Sequence, residues 1–531
     1  MRIITADQMR EVDRLTTERF AIPGLLLMEN AAVRTACAIA ERFGPVGDLY
    51  VKIVCGRGNN GGDGAAIARQ LWLGGAMADV ILIGHVSDAT GDARTNFEIV
   101  RALSETATGI GLREIETSED LWDAYSDGEA DVFVDAMFGT GLSRPVDGLF
   151  AEAIELLNAH DGTPVVSVDL PSGLASDLAE SIGPHVHADL TVTFTALKPA
   201  CALPPAVFSC GEVVVADIGS PAELVESCGS RLSLVAPSGV EGYLDLSKRR
   251  IDAHKGTVGS VLVIGGSVGK TGAPAMAAEA VLKSGAGLAT IATARSAEPV
   301  LASRALAEAM TEPVAETDAG VVSVAALERL RELAASRTVV AIGPGLGLGE
   351  SQRDVVRAFM RDRERPVVVD ADALTALSDW PDEIRGTTEL PIIVTPHPAE
   401  MARIASLDTR AVVVDRVGVA REFATRHRVF VVLKGARTII AEPGGEVLVN
   451  PTGNSGMATG GSGDVLTGVI AGLLAQRPSD PLGAAVTGVY LHGLAGDLAV
   501  AETGIRALVA TDISEHLGRA FLQAGGTAER V

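Results

Sequence analysis

Short runs of Val, Ile and Leu, each closed by a turn rich in Gly, Asp or Pro, alternate with segments of helical length along almost the whole chain. Such runs read as strands buried on both faces, and strands of that kind belong to parallel sheets whose crossovers are helices. In the first half the candidates are residues 49–54, 80–83, 132–135, 165–168, 190–194 and 213–216. Thr5 with Gln8 forms a capping-box pattern ahead of a helix near 6–19. The rhythm weakens after Pro221 and resumes after Ile251, which places a junction in 220–250 and divides the chain into domains 1–222 and 223–531. Strands then follow at 258–264, 288–292, 339–342, 367–370, 392–395, 429–433 and 447–449, and a helical stretch begins near Asp464. The fold class is α/β in both halves.

Composition narrows the function classes. A chain of 531 residues exceeds one ordinary core, so two domains are the default. The formal net charge of −24, with no basic cluster, argues against a nucleic-acid partner. Five cysteines without a CxxC pair fit a reducing cytoplasm better than a disulfide scaffold. The N-terminus has no apolar signal region, and no uninterrupted apolar run reaches the roughly 20 residues that span a bilayer. The run 468–474 comes nearest to misleading, but polar residues flank it. The chain reads as soluble, with no membrane partner.

Three strand exits in the first half carry chemistry. After the first strand comes Cys55-Gly56-Arg57-Gly58-Asn59-Asn60-Gly61-Gly62-Asp63-Gly64, with the glycine spacing of a dinucleotide-binding turn. Asp63 would repel a phosphate, and the next strand ends Ile83-Gly84-His85 without the acidic residue that holds a ribose. The loop therefore suits a nucleotide that is not a redox cofactor, and His85 reads as a loop histidine. The second exit is Asp135-Ala136-Met137-Phe138-Gly139-Thr140-Gly141-Leu142-Ser143-Arg144-Pro145, and the third is Asp169-Leu170-Pro171-Ser172-Gly173. Asn60, Asp135 and Ser172 offer carbonyl, carboxylate and hydroxyl oxygens that suit a hard cation.

These three motifs together resemble the NAD(P)H-hydrate epimerase family over roughly residues 1–220. The resemblance implies a Rossmann-like three-layer domain in which Asn60, Asp135 and Ser172 hold potassium. It also implies that Asn59, Asn60, Gly61, Gly62, Asp63, Gly139, Thr140, Gly141, Leu142, Ser143, Arg144, Pro145 and Asp169 surround the hydrated nicotinamide nucleotide. Asp169 is the general-base candidate for interconverting the two C6 epimers. Lys198 is a weaker candidate for a site cation, and a surface position is the simpler expectation for it.

In the second half, Thr459-Gly460-Gly461-Ser462-Gly463-Asp464 leads into an apolar helix. Glycines at a helix start free N–H donors for a transferring phosphoryl group, and Asp464 is placed to accept a substrate hydroxyl's proton. Lys434-Gly435-Ala436-Arg437-Thr438, Thr395-Pro396-His397-Pro398-Ala399-Glu400 and Gly343-Pro344-Gly345-Leu346-Gly347 are further strand exits. Val263-Ile264-Gly265-Gly266-Ser267-Val268-Gly269-Lys270-Thr271 imitates a P-loop, with 367–370 as its magnesium strand. A P-loop needs Gly five residues before Gly269, where Ile264 stands, so the loop is one residue short.

Residues 225–525 are similar to ADP-dependent NAD(P)H-hydrate dehydratases of the ribokinase-like fold, through His254-Lys255-Gly256, Gly265-Gly266-Ser267, Thr271-Gly272-Ala273-Pro274 and the strand exits above. The resemblance implies that Ala273, Gly345, His397 and Asp464 contact the hydrate. It assigns Lys434, Gly435, Ala436, Arg437, Thr438 and Gly463 to ADP, with Asp464 catalytic and magnesium as the expected ion. Ala399 departs from a family pattern that commonly has glycine there. The joint expectation is repair of NADHX and NADPHX at the expense of ADP, by a homo-oligomer in the cytoplasm. The alternatives are a ribokinase-like small-molecule kinase with an accessory N-terminal domain, and a binding or scaffold protein.

Overall fold

The computed structural model describes residues 1–159 and 162–525. Two compact units divide between Leu232 and Ser233, ten residues beyond the division expected from sequence. The reason is the short helix Ala222–Glu226, whose Leu224 is buried with Ile4, Met9 and Val12 and so belongs to the first unit.

The first unit is built on seven parallel strands: β1 (Tyr50–Cys55), β2 (Met77–Ile83), β3 (Ile110–Ile115), β4 (Val132–Ala136), β5 (Val165–Val168), β6 (Leu190–Phe194) and β7 (Glu212–Ala216). Their order is β3-β2-β1-β4-β5-β6-β7. Successive strand residues point to opposite faces, and the two faces feed separate cores. Val51, Ile53, Val132 and Val134 enter one, while Val54, Phe133 and Val165 enter the other. Helices cover both cores, giving the three-layer, Rossmann-like arrangement. β3 escapes the sequence reading because it is an edge strand whose Arg113 and Glu114 face solvent. Strand order reverses between β1 and β4, where a crevice opens at the carboxyl ends.

The second unit's sheet contains β8 (Leu232–Leu234), β9 (Ser260–Ile264), β10 (Leu288–Ala294), β11 (Met310–Val314), β12 (Val339–Ile342), β13 (Val367–Val369), β14 (Ile392–Val394), β15 (Phe430–Leu433), β16 (Ile439–Ala441) and β17 (Val447–Val449). The order is β11-β10-β9-β12-β13-β14-β15-β16-β17-β8. Pairing is parallel from β11 to β15 and antiparallel through β16 and β17. The strands missed from sequence are β8 and β16, each of three residues, and β11, an edge strand interrupted by Pro313. The reversal lies between β9 and β12.

Two apolar helices fill the second core. Ser462–Gln476 buries every residue from Val465 to Ala475. Pro481–Thr503 has the length and apolarity to cross a membrane, with mean hydropathy 1.3. Here it serves as a core helix, with Ala484, Val489, Leu491 and Ala495 in the cluster. The first of these helices lies so close to helix Gly272–Lys283 that a Cβ on Gly468 would sit 2.1 Å from the Ala277 carbonyl oxygen. A Gly468→Val substitution should therefore destabilise the second unit by about 3 kcal/mol through overpacking. Urea denaturation checks this, and an unchanged midpoint would contradict the close helix contact.

Candidate active sites

Each unit gathers polar side chains at the carboxyl edge of its sheet. In the first unit a cleft of about 790 Å³ is lined from several elements, including Asn59, Asn60, Asp63, Gly139, Thr140, Gly141, Leu142, Ser143, Arg144, Asp169 and Lys198. Asp169 leaves β5 in a left-handed backbone conformation, φ 65°, which Asp tolerates better than most residues. Beneath it lies Lys198, 1% exposed. Its ammonium donates to Asp169 Oδ1 (2.6 Å), Thr193 Oγ1 (2.9 Å) and the Phe194 carbonyl (2.9 Å). The surface position expected for this lysine is thus wrong, because β6 delivers it under the carboxylate with all three donors used.

The segment 59–64, read from sequence as a loop, is instead the start of helix Asn59–Leu73. Glycine makes this possible. A Cβ on Gly61 would meet the Gly56 carbonyl oxygen at 1.7 Å, and one on Gly64 would meet Cys55 Sγ and Ala136 Cβ at 2.6 Å. The helix N-terminus therefore seats directly on the exits of β1 and β4, with Asn59, Asn60 and Asp63 toward the cleft. Gly61 and Gly62 pack against Gly56 and Ala93, and Pro145 lies beside Gly183. Among the described residues, these three are not part of the cleft lining. Burial, reinforced by Asp169 and Asp13, pushes the Asp63 carboxyl well above the usual carboxylate range. His85 lies on a surface turn, its ring 3.1 Å from both Glu114 and Glu116.

Asp135 is fully buried at the end of β4. It accepts only from neutral donors: Ser172 Oγ (2.5 Å), Ser172 N (2.8 Å), Ser167 Oγ (2.9 Å) and Met137 N (3.3 Å). Burial raises its carboxyl, and those hydrogen bonds oppose the shift. Ser172 Oγ in turn accepts from Phe138 N at 2.9 Å. The adjoining Gly139 is tightly placed, since a Cβ there would lie 3.1 Å from Asp169 Oδ2 and 3.3 Å from Asn60 Oδ1. Asn60 is buried, and its Nδ2 has no hydrogen-bond partner among the described residues. One buried carboxylate among hydroxyl and amide oxygens fits a hard monovalent cation.

In the second unit the exits of five strands interlock. Gly266 N donates to the Pro344 carbonyl (2.9 Å), Asp370 N to Ile342 (3.1 Å), Thr395 N to Val369 (3.1 Å) and Lys434 N to Pro396 (2.8 Å). At their centre Asp370, 1% exposed, accepts from Lys434 Nζ (2.8 Å) and Thr467 Oγ1 (2.7 Å). Glu400 Oε2 lies 3.8 Å from the same ammonium. Burial opposes the Lys434 charge, but Asp370 and Glu400 outweigh it and hold the ammonium above its usual range. A Cβ on Gly463 would be 3.3 Å from Lys434 Nζ, so helix Ser462–Gln476 begins against this pair. Its first-turn Asp464 is pushed up to about 7 by burial and by Asp370, with Lys434 pulling the other way.

The remaining candidates separate into neighbours and outliers. Ala273 and Gly345 adjoin, a Cβ on Gly345 falling 3.3 Å from Ala273 Cβ. Asp372 ties that side together, meeting Lys270 Nζ (3.1 Å) and Gly347 N (2.8 Å). His397 caps helix Pro398–Ala405, its Nδ1 accepting from Ala399 N (3.2 Å) and Glu400 N (3.4 Å). Ala399 lies within this helix at ordinary backbone angles, so the glycine-to-alanine departure costs nothing locally. Gly435 and Ala436 sit beside Arg416, which donates to the Ala436 carbonyl at 2.7 Å. Arg437 and Thr438 turn into the β15–β16 connection, toward the Pro451 and Gly435 carbonyls.

Sequence reasoning missed Asp370, Thr467 and Asp13 as members of these polar clusters. Asp370 had a usable signal, since it ends a Val-rich strand in the way that Asp135 and Asp169 do. Among the described residues no group of three or more His, Cys, Asp or Glu side chains is arranged to hold a metal ion.

Comparison with known proteins agrees with both units. The model for the YjeF-related protein N-terminus matches residues 24–200, and that for NAD(P)H-hydrate dehydratase matches 261–519. A bifunctional NAD(P)H-hydrate repair enzyme of Moorella thermoacetica is 42% identical, over 97% of this chain and 96% of the relative. One of Thermofilum pendens is 38% identical, over 98% and 96%. A crystal structure of the ADP/ATP-dependent NAD(P)H-hydrate dehydratase of Bacillus subtilis is 31% identical, covering 55% of this chain and 98% of that one, with a TM-score of 0.48. The chain thus belongs to the family of bifunctional NAD(P)H-hydrate repair enzymes.

Proposed function

We propose that the first unit interconverts the R and S epimers of NADHX and NADPHX and that the second dehydrates the S epimer using ADP. The observation that carries the reading is Asp464: a carboxylate poised near neutrality, in the first turn of a helix whose glycines leave N–H donors for a phosphoryl group. Asp464 takes the proton of the C6 hydroxyl, whose oxygen attacks the β-phosphorus of ADP and releases AMP. Phosphate then leaves C6 as a proton leaves C5, which restores the C5–C6 double bond of the dihydronicotinamide. His397, Ala273 and Gly345 position the hydrate, while Gly463 and the Lys434–Thr438 segment face ADP. Lys434 acts by neutralising Asp370, which it already holds.

In the first unit Asp169 is the general base, working above the Lys198 ammonium. Asn60, Asp135 and Ser172 would hold potassium, whose charge offsets the buried Asp135 carboxylate. Lys434 lies near both Asp370 and Glu400, so these carboxylates do not form a cage for magnesium, and the ADP phosphates would hold that ion and gain charge neutralisation from it. The reading also carries a homo-oligomer, from resemblance alone, and a cytoplasmic setting, which the five free cysteines suit. A small-molecule kinase would share Gly463 and Asp464 but leave the cleft of the first unit without a task.

Asp464→Asn should lower ADP-dependent dehydration of the S hydrate by at least about 100-fold while epimerisation continues, measured by dihydronicotinamide absorbance and by the R/S ratio. Loss of both activities would contradict separate sites. In the parent, dehydration should rise with pH through about 7 as Asp464 ionises. Asp370→Asn removes a like charge, so this limb should move to lower pH. A limb that stays in place would show that Asp370 does not act on Asp464.

A further inference from the structure

Helix Ala6–Phe20 presents Arg10, Asp13 and Thr17 to the cleft of the first unit, positions that share one helix face. Met9 and Val12 of the same helix are buried in a small apolar cluster with Ala196 and Leu224, and Met9 also borders the cleft. Most acids on this helix are matched locally. Asp7 takes Arg10, while Glu11 and Glu18 share Arg14. Arg19 reaches Glu223. Among the described residues Asp13 has no ion pair of that kind, and it is partly buried at the cleft wall. The charged groups lining the same cleft are Arg10, Arg57, Asp63, Asp92, Arg144, Asp169 and Lys198.

We propose that Asp13 is a second proton-transfer residue of this site, acting with Asp169 on the C6 hydroxyl of the hydrated nicotinamide; the inference rests on the epimerase reading. Inverting C6 requires an acid that releases the hydroxyl and a base that admits water on the other face of the ring. Asp13 comes from a helix and Asp169 from the exit of β5, so the two reach the cleft from different elements. Asp13 donates its proton to the C6 oxygen as the C6–O bond breaks. Water departs, and the N1 lone pair forms the N1–C6 double bond. A water molecule then adds to C6 while Asp169 accepts its proton, and the lone pair returns to N1. The reverse conversion uses Asp169 as acid and Asp13 as base, and proton exchange with solvent resets the pair.

The two carboxyls have the unequal surroundings such a division needs. Asp169 is in direct ion pairing with Lys198 at 2.6 Å. Burial pushes Asp13 up to about 6, the Lys198 charge restraining the shift and Asp169 adding to it. Asp13 therefore keeps a proton below about pH 6 and loses it above.

The test uses the full-length protein with separately prepared R and S hydrates. Asp13→Asn should slow epimerisation by at least about 100-fold and leave dehydration of the S hydrate unchanged. Asp13→Glu, which keeps an ionisable group, should recover at least about a tenth of the parent rate. In the parent, epimerisation should fall as pH rises through about 6, and that limb should be absent in Asp13→Asn. Epimerisation within about three-fold of parent in Asp13→Asn, or equal loss in both variants, would overturn the proposal. If Asp13→Asn does not fold, the parent profile decides: a rate flat across this range overturns it. A parent that never converts R hydrate overturns the epimerase reading and the proposal with it.

Discussion

In each unit a lysine is ion-paired to a buried aspartate at the carboxyl edge of the sheet, the buried Lys198 with Asp169 at 2.6 Å and the half-buried Lys434 with Asp370 at 2.8 Å. Taking either charge out of water alone would cost several kcal/mol, so each lysine persists only because the carboxylate and further acceptors meet it. That mutual requirement fixes the surrounding backbone. Lys198 also holds the end of β6 through Thr193 and Phe194, and Asp370 holds helix Ser462–Gln476 through Thr467. The same fixed charges act on the acids nearby. Lys198 and Asp169 together influence Asp13 and Asp63, and Lys434 and Asp370 influence Asp464.

Close backbone approach is the second constraint. Helix Asn59–Leu73 reaches the exits of β1 and β4 only because Gly61 and Gly64 carry no Cβ. Helix Ser462–Gln476 reaches its neighbour through Gly468 and Gly472 in the same way. The consequence in both units is a helix N-terminus set beside a buried acid, which brings N–H donors and a carboxylate together. Packing and chemistry are therefore carried by the same short segments.

Much of this was legible in the chain. Buried parallel strands announce themselves as Val/Ile runs, and the acids Asp135, Asp169 and Asp464 stand at turns that glycine marks. Edge strands such as β3 and β11 were not legible, because their solvent face admits Arg, Glu and Pro. Lys198 looked like a surface residue, since nothing local shows that β6 carries it beneath an aspartate from another strand exit. Asp13 was hidden for a related reason. Its place at the cleft depends on which face of helix Ala6–Phe20 meets it, and that is set by packing against sequence-distant residues such as Ala196 and Leu224.

The central claim is that one chain carries two sites that together clear both epimers. The most direct measurement is a progress curve with an unfractionated mixture of R and S hydrates, excess ADP and the intact protein. The account predicts recovery of dihydronicotinamide absorbance from the entire mixture, with one AMP and one phosphate formed per molecule restored. A curve that stops when the S fraction is exhausted would contradict it.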